Sequence, residues 1–201
     1  MNIHTIILAA GKGTRMNTNL PKVMQPLGGQ TLISHVIKTA KARSKNITVI
    51  VGHEKDLLKE HIARIDPNIQ TTYQSEQLGT AHAVKTASHL IKEDEKVLVL
   101  YGDVPLITSE TIEALINSGQ DCTLLSMKLN NPTGYGRIIT DDENLALRII
   151  EQKDASEDER KIQEVFTGIL LIDGSLLGPA LDEINNQNAA NEYYLTDLVE
   201  I

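Results

Sequence analysis

The stretch Ile6 to Met16, IILAAGKGTRM, runs a short apolar segment straight into a loop that holds two glycines, Lys12 and Arg15. An apolar run of that length ending on small residues is the pattern of a strand buried on both faces, the usual opening of a parallel α/β sheet. The glycines after it let backbone N–H groups come close to an anion. Two common phosphate loops do not fit. A P-loop needs Gly-Lys followed by Ser or Thr, but Gly13 follows Lys12 and Ile6 stands where the earlier glycine belongs. A dinucleotide fingerprint needs a small residue three positions beyond Gly13, and Met16 is there. What remains is a loop with Lys12, Arg15 and Lys22 close in sequence, a set of cations suited to a triphosphate. An ordinary strand-to-helix turn with solvated basic side chains is the competing reading of the same residues.

Outward from this loop the same alternation repeats. Val-, Ile- and Leu-rich runs predict strands at Thr5 to Ala9, Ile47 to Val51, Gln70 to Tyr73, Lys96 to Tyr101, Cys122 to Leu129, Arg137 to Thr140 and Phe166 to Ile172. Helical spacing falls between them, at Leu32 to Lys41, Lys55 to Ala63, Ala81 to Leu90 and Ser109 to Asn117. The fold class is therefore α/β, with a mainly parallel central sheet flanked by helices. Thr108 precedes the last of these helices as a hydroxyl cap, and Glu110 favours its positive end. The charge run Glu151 to Lys161 is expected to form a solvated loop and short helix. The carboxyl end, NEYYLTDLVEI from Asn191, reads as an amphipathic helix without a Gly or Pro terminator, as expected of a chain cut short.

Composition narrows the function. The chain has 201 residues, 41% of them hydrophobic, which is enough for one sizeable core. A net charge of -8 disfavours nucleic acid or an anionic membrane as partner. Only 3% of residues are aromatic, too few for a base-stacking surface. Cys122 is the single cysteine, so no intrachain disulfide or cysteine-rich metal site exists, and a reducing cytoplasm is the expected location. Ile6 to Ala10 is too short for a signal-peptide core, and no later run approaches a membrane span.

Several further stretches carry polar groups where ligands bind in open sheets. YGD, Tyr101 to Asp103, closes an apolar strand with a carboxylate, which suits a hard cation or a loop-capping role. YQSEQLGTAHAV places Gln74 and Gln77 ahead of Gly79 and Thr80, and an amide can match the imide edge of uracil. His82 lies within the following helix and is expected to be a hydrogen-bonded structural histidine.

Taken together, LAAGKGTRM, PKVM (Pro21 to Met24), QLGTAHAV, LYGDVPLI, PTGYGRI and NEYYLTD resemble the motifs of the sugar-nucleotide pyrophosphorylases. Their order is similar to that in the uridyltransferase domain of the bacterial bifunctional N-acetylglucosamine-1-phosphate uridyltransferase/glucosamine-1-phosphate acetyltransferases. The resemblance spans almost the whole chain and implies a Rossmann-like nucleotide-diphospho-sugar transferase fold over residues 1–201. It implies Mg²⁺ as cofactor, with UTP and N-acetylglucosamine 1-phosphate as substrates. Leu8, Ala9, Ala10, Gly11, Lys22, Gln74, Gly79 and Thr80 would then bind nucleotide, and Asp103 would hold the metal. Arg15, Lys22 and Asp103 would carry the catalysis, with Lys12 as a secondary cation. Tyr101, Gly102, Gly136, Glu151, Phe166, Tyr194 and Thr196 would face the sugar.

Two departures from the pattern stand out. The family motif Glu-Ile-Asn-Thr-Gly is replaced by EVFTG, so Phe166 stands where an amide would meet the N-acetylhexosamine. The family's second metal-binding residue, an asparagine, and its hexapeptide-repeat β-helix domain have no counterpart in these 201 residues. A related nucleotidyltransferase with another sugar-phosphate acceptor, or a nucleotide-binding module without turnover, are the alternative readings.

Overall fold

The computed structural model describes residues 2–11, 13 and 20–201. Through these the chain forms β1 (Ile3–Ala9), β2 (Pro26–Leu27), β3 (Gln30–Thr31), α1 (Leu32–Lys41), β4 (Asn46–Val51), α2 (Lys55–Ile65), β5 (Gln70–Tyr73), α3 (Thr80–Lys85) and β6 (Lys96–Tyr101). It continues through α4 (Ser109–Ile116), β7 (Cys122–Lys128), β8 (Arg137–Thr140), β9 (Ala146–Ile150), β10 (Glu164–Asp173) and α5 (Gly174–Glu183).

Every residue of β1 is buried, as a central strand requires; its two polar residues, His4 and Thr5, are satisfied by hydrogen bonds to the Thr48 and Ser44 hydroxyls. Parallel partners flank it on both sides, β4 and β6, and β5 extends the ladder beyond β4. The full sheet runs β5-β4-β1-β6-β10-β8-β9, with β7 also paired to β10. Beyond β6 the pairings become antiparallel, because β10 returns against β6, β7 and β8, and β9 folds back on β8. The sheet is thus a parallel half carrying helices and a second half built by antiparallel pairing.

Alternate residues of the central strands feed two cores. Ile6, Leu8, Val97 and Val99 face α3 and α5, while Ile7, Ala9, Leu98 and Leu100 face α1, α2 and α4. On α1 the stripe Ile33, Val36, Ile37 and Ala40 repeats at helical spacing and is fully buried. Thr31 caps this helix by accepting from the Ser34 amide at 3.3 Å. Thr108 caps α4 in the same way, accepting from Thr111 at 3.2 Å.

Differences from the expected elements have local causes. The helix expected over residues 81–90 ends at Lys85, and a turn leads to a single 3-10 turn, Ser88–Leu90. Thr86 turns its hydroxyl onto the Ala83 carbonyl at 2.7 Å, a local bond that competes with helix continuation. The amphipathic carboxyl end forms a 3-10 helix, Leu195–Val199, because Leu195, Thr196 and Leu198 are anchored by burial in quick succession. Helix α5 was not among the expected helices; its Gly174, Gly178 and interior Pro179 are weak helix formers. The β2–β3 hairpin turns on Gly28 and Gly29, both at positive φ, as a two-residue loop requires. No described helix is long and apolar enough to cross a membrane.

Candidate active site

The parallel strands β1, β4, β5 and β6 all end on the same side of the sheet, where open α/β sheets collect ligands. A cavity of about 430 Å³ opens there. Its floor comes from Leu8, Ala9, Ala10 and Gly11, the end of β1 and the loop after it. Gln74, Gly79 and Thr80 form the wall beyond β5, and Tyr101 and Asp103 the wall beyond β6. Lys22 closes the mouth, and its ammonium is ion-paired with the Asp103 carboxylate. All eight residues expected to bind nucleotide therefore line one cavity. Lys12 and Arg15 lie outside the described residues.

The wall beyond β5 is assembled from long-range backbone bonds. Gln74 extends the strand by donating its amide to Val51 O at 2.9 Å. Its side-chain nitrogen donates to Gly79 O and to His82 Nδ1, both at 3.1 Å. Those bonds occupy both amide hydrogens and leave the Gln74 oxygen as the atom available to a ligand N–H. They also give His82 the structural role expected of it. Gly79 has φ +121° and passes so near Tyr193 that any side chain would collide with that residue's backbone. The close approach lets Tyr193 N donate to Leu78 O at 2.7 Å and Ala81 N donate to Tyr193 O at 2.9 Å. Leu195 N then donates to Thr80 Oγ1 at 3.0 Å. The NEYYLTD segment is in this way fastened to the start of α3.

A second group of residues meets beside Tyr101. Thr196 is buried and donates its hydroxyl to Glu151 Oε1 at 3.3 Å. Gly136 abuts the same carboxylate: a Cβ built on it would lie 3.5 Å from Glu151 Oε1 and only 2.8 Å from Ile149. Burial raises the Glu151 pKa, opposed by the Thr196 hydroxyl and the Arg137 cation and reinforced by Asp154 and Asp197. Burial, with Glu151 and Asp103 nearby, also raises the Tyr101 hydroxyl, which bonds to Thr80. That hydroxyl therefore stays protonated and links the two groups. Tyr194 is pushed up to about 12, first by burial and then by Asp154 and Glu151.

Gly102 lies under the cavity, its amide donating to Leu8 O at 2.9 Å. Phe166 does not line the cavity. Its side chain is buried in the core with Ile138 and Ile149, and its backbone amide donates to Gly136 O at 2.9 Å. Residues without an assigned role in the sequence also contribute. Gln77 and Glu192 line the cavity, and Gln77 bonds to Ala10 O at 2.9 Å. Arg137 is fully buried behind Glu151. Gln77 lies three residues after Gln74 within the same motif, which was the available signal; nothing in the sequence marks Arg137 as buried.

Among the described residues no group of three or more His, Cys, Asp or Glu is placed to hold a metal ion. A cage made wholly of protein ligands is thus absent from them. Asp103 alone fits a cation of the Mg²⁺ kind, which takes one or two carboxylates and completes its shell with phosphate and water oxygens.

The chain matches the model of the MobA-like NTP transferase domain over residues 5–153. It is 45% identical over 206 residues to the bifunctional protein GlmU of Clostridioides difficile (strain 630), covering 100% of this chain and 44% of that protein. The bifunctional protein GlmU of Stutzerimonas stutzeri (strain A1501) is 46% identical over 203 residues, covering 99% of this chain and again 44% of the relative. The chain therefore spans less than half the length of these relatives. Its fold is similar to that of a UDP-glucose pyrophosphorylase solved with UDP-glucose, with a TM-score of 0.77 at 18% identity, over 100% of this chain and 86% of that one. An end-of-strand cavity built from the glycine loop, and a family match over most of the chain, lead to one conclusion: the chain belongs to the MobA-like NTP transferase domain family.

Proposed function

We propose that this chain transfers UMP from UTP to N-acetylglucosamine 1-phosphate, giving UDP-N-acetylglucosamine and pyrophosphate, with Mg²⁺ as cofactor and in the cytoplasm. The observation that carries the reading is the convergence of Leu8 to Gly11, Gln74, Gly79, Thr80, Tyr101, Asp103 and Lys22 on one cavity. The similarity to two bifunctional GlmU proteins supports the choice of substrates.

In this reaction a phosphate oxygen of the sugar phosphate attacks the α-phosphorus of UTP. The bond to the bridging oxygen of the β-phosphate breaks, and pyrophosphate leaves with the electron pair. Such a displacement depends on in-line positioning and charge neutralisation more than on proton transfer. The backbone around Ala10 and Gly11 cradles the nucleotide, and the Gln74 oxygen accepts the imide N–H of uracil. Cytosine presents an acceptor at that position, so the same oxygen selects against CTP. Lys22, whose side chain is 44% exposed, moves from Asp103 to the reacting phosphates. Arg15, assigned from its sequence motif alone, would neutralise the departing pyrophosphate. Asp103 is the residue that would hold Mg²⁺, which when bound neutralises phosphate charge at the reacting phosphorus. On the acceptor side Glu151 receives hydrogen bonds from sugar hydroxyls, with Gly136, Tyr194 and Thr196 shaping the pocket.

The test is Mg²⁺-dependent pyrophosphate release from UTP and N-acetylglucosamine 1-phosphate, with Asp103→Ala as control. Release that the control abolishes is the expected result. UTP binding without release overturns turnover of this pair. The core position of Phe166 beside Gly136 favours one further arm, competition by other sugar 1-phosphates, because its ring offers no hydrogen bond to an acetamide.

A further inference from the structure

Arg137 is a fully buried cation with no carboxylate partner among the described residues. Its exposure is 1%, and its Nε has no hydrogen-bond partner among the described residues. The remaining donors reach three different segments. Nη1 donates to Tyr135 O; Nη2 donates to Gln152 Oε1 at 2.6 Å and to Arg160 O at 3.4 Å. The same Gln152 oxygen accepts from Gly134 N at 3.0 Å. One side chain thus ties the loop before β8, the turn after β9 and the 3-10 helix Glu159–Lys161 together. Gly136 and Glu151 are the chain neighbours of Arg137 and Gln152, and β8 and β9 pair Arg137 with Ile150.

A buried cation is normally matched by an anion, because an unmatched one loses its hydration without recompense. Neutral carbonyls satisfy part of that need here and leave the net charge uncancelled. We propose that Arg137 is a positioning residue for the acceptor side of the site, holding the Gly136 backbone and the Glu151 carboxylate in register while its unpaired charge acts on Glu151. The inference rests on the sugar-facing role proposed above for Glu151. Charged or titratable groups that act on or are acted on by Glu151 are Arg137, Asp154, Asp197, Tyr101 and Tyr194, and Thr196 bonds to it. Arg137 is the one cation among them, so its removal raises the pH at which Glu151 ionises.

The experiment follows the Glu151 carboxyl by carbon NMR through a pH titration of the whole chain, assigned by its loss in Glu151→Gln. In Arg137→Gln the Glu151 titration moves to higher pH. In Arg137→Lys, which keeps the charge without the planar fork, it stays near that of the unaltered chain. In parallel, both variants raise KM for the sugar phosphate by on the order of tenfold or more, with little change in KM for UTP. Gln152→Leu removes the side-chain anchor at a half-exposed position, so it reads the same effect if the Arg137 variants do not fold. There the titration moves upward by less than in Arg137→Gln. A Glu151 titration unmoved in folded Arg137→Gln and Gln152→Leu overturns the proposal. Absence of turnover in the unaltered chain overturns the substrate reading instead, and leaves the titration as the deciding result for Arg137.

Discussion

The side-chain amide of Gln77 donates to the carbonyl oxygen of Ala10 at 2.9 Å, joining residues 67 apart in sequence. Ala10 sits where β1 gives way to the glycine loop, and its carbonyl also accepts, weakly, from His53 N at 3.5 Å. Gln77 is therefore the stronger of two restraints on the start of the proposed nucleotide cradle. Gln77→Ala is expected to lose about 0.5–1.5 kcal/mol of cradle order, equivalent to about a two- to tenfold rise in KM for UTP. Steady-state kinetics with each substrate varied in turn check this. An unchanged KM for UTP, or an equal rise for both substrates, contradicts the restraint.

Lys22 and Asp103 neutralise each other across the mouth of the cavity. If both act on the reacting phosphates, either single change disables the site and the double change adds little more. Asp103→Asn keeps the side-chain shape and removes the carboxylate charge. Pyrophosphate release is expected to fall by about a hundredfold or more in Asp103→Asn and in Lys22→Ala. The Mg²⁺ concentration needed for half-maximal rate is expected to rise only in Asp103→Asn. A normal metal requirement in that variant removes Asp103 as a metal ligand.

Gly79 carries two constraints at once, a φ of +121° and contact with the Tyr193 backbone. Gly79→Ala strains the first and breaks the second, because Tyr193 must withdraw and release its bonds to Leu78 and Ala81. A loss of about 1–3 kcal/mol in unfolding free energy is expected from the strained backbone. Chemical denaturation measures it. The rise in KM should then extend to the sugar phosphate, since Tyr194 and Thr196 follow directly on Tyr193. A variant as stable as the unaltered chain shows that the segment relaxes without penalty.

Much of this architecture could be read from residue pattern. Buried runs such as Ile6 to Ala9 and Val97 to Leu100 have few alternatives to central strands, and caps such as Thr108 act through near neighbours. That Leu8, Ala9, Ala10, Gln74 and Tyr101 share a cavity was legible because they sit at or just past the ends of those strands, where topology alone brings them together. The antiparallel half was less legible, since β10 serves β6, β7 and β8 at once and changes register between Phe166 and Leu170. Helix α5 was hidden because burial of Leu177, Ala180 and Leu181 overrides the weak helical preference of its Gly and Pro residues. Arg137 was hidden for a related reason: a lone arginine after GYG resembles any surface cation until the loops close over it. The acceptor side of the site depends on such tertiary placement, and so does the orientation of Phe166 into the core.

Asp197 closes the NEYYLTD motif under conditions unfavourable to its charge. Burial, then Glu200 and Asp154, push its pKa up to about 6. An unfolded aspartate ionises near pH 4, so the folded chain holds this proton more tightly than the unfolded chain does. Linkage then gives the sign. At pH below about 4 both states are protonated and the group has no effect; as pH rises from about 4 to about 6 the unfolded state alone is favoured by ionisation, and stability falls; above about 6 the loss is complete and constant. Asp197→Asn removes the titration. The variant is expected to match the unaltered chain in stability near pH 4, to exceed it at pH 7, and to show the difference growing through the interval between. Urea denaturation at matched ionic strength across that range provides the comparison. A difference that is flat with pH would mean that Asp197 ionises alike in both states, and that the crowding by Asp154 and Glu200 is screened by water.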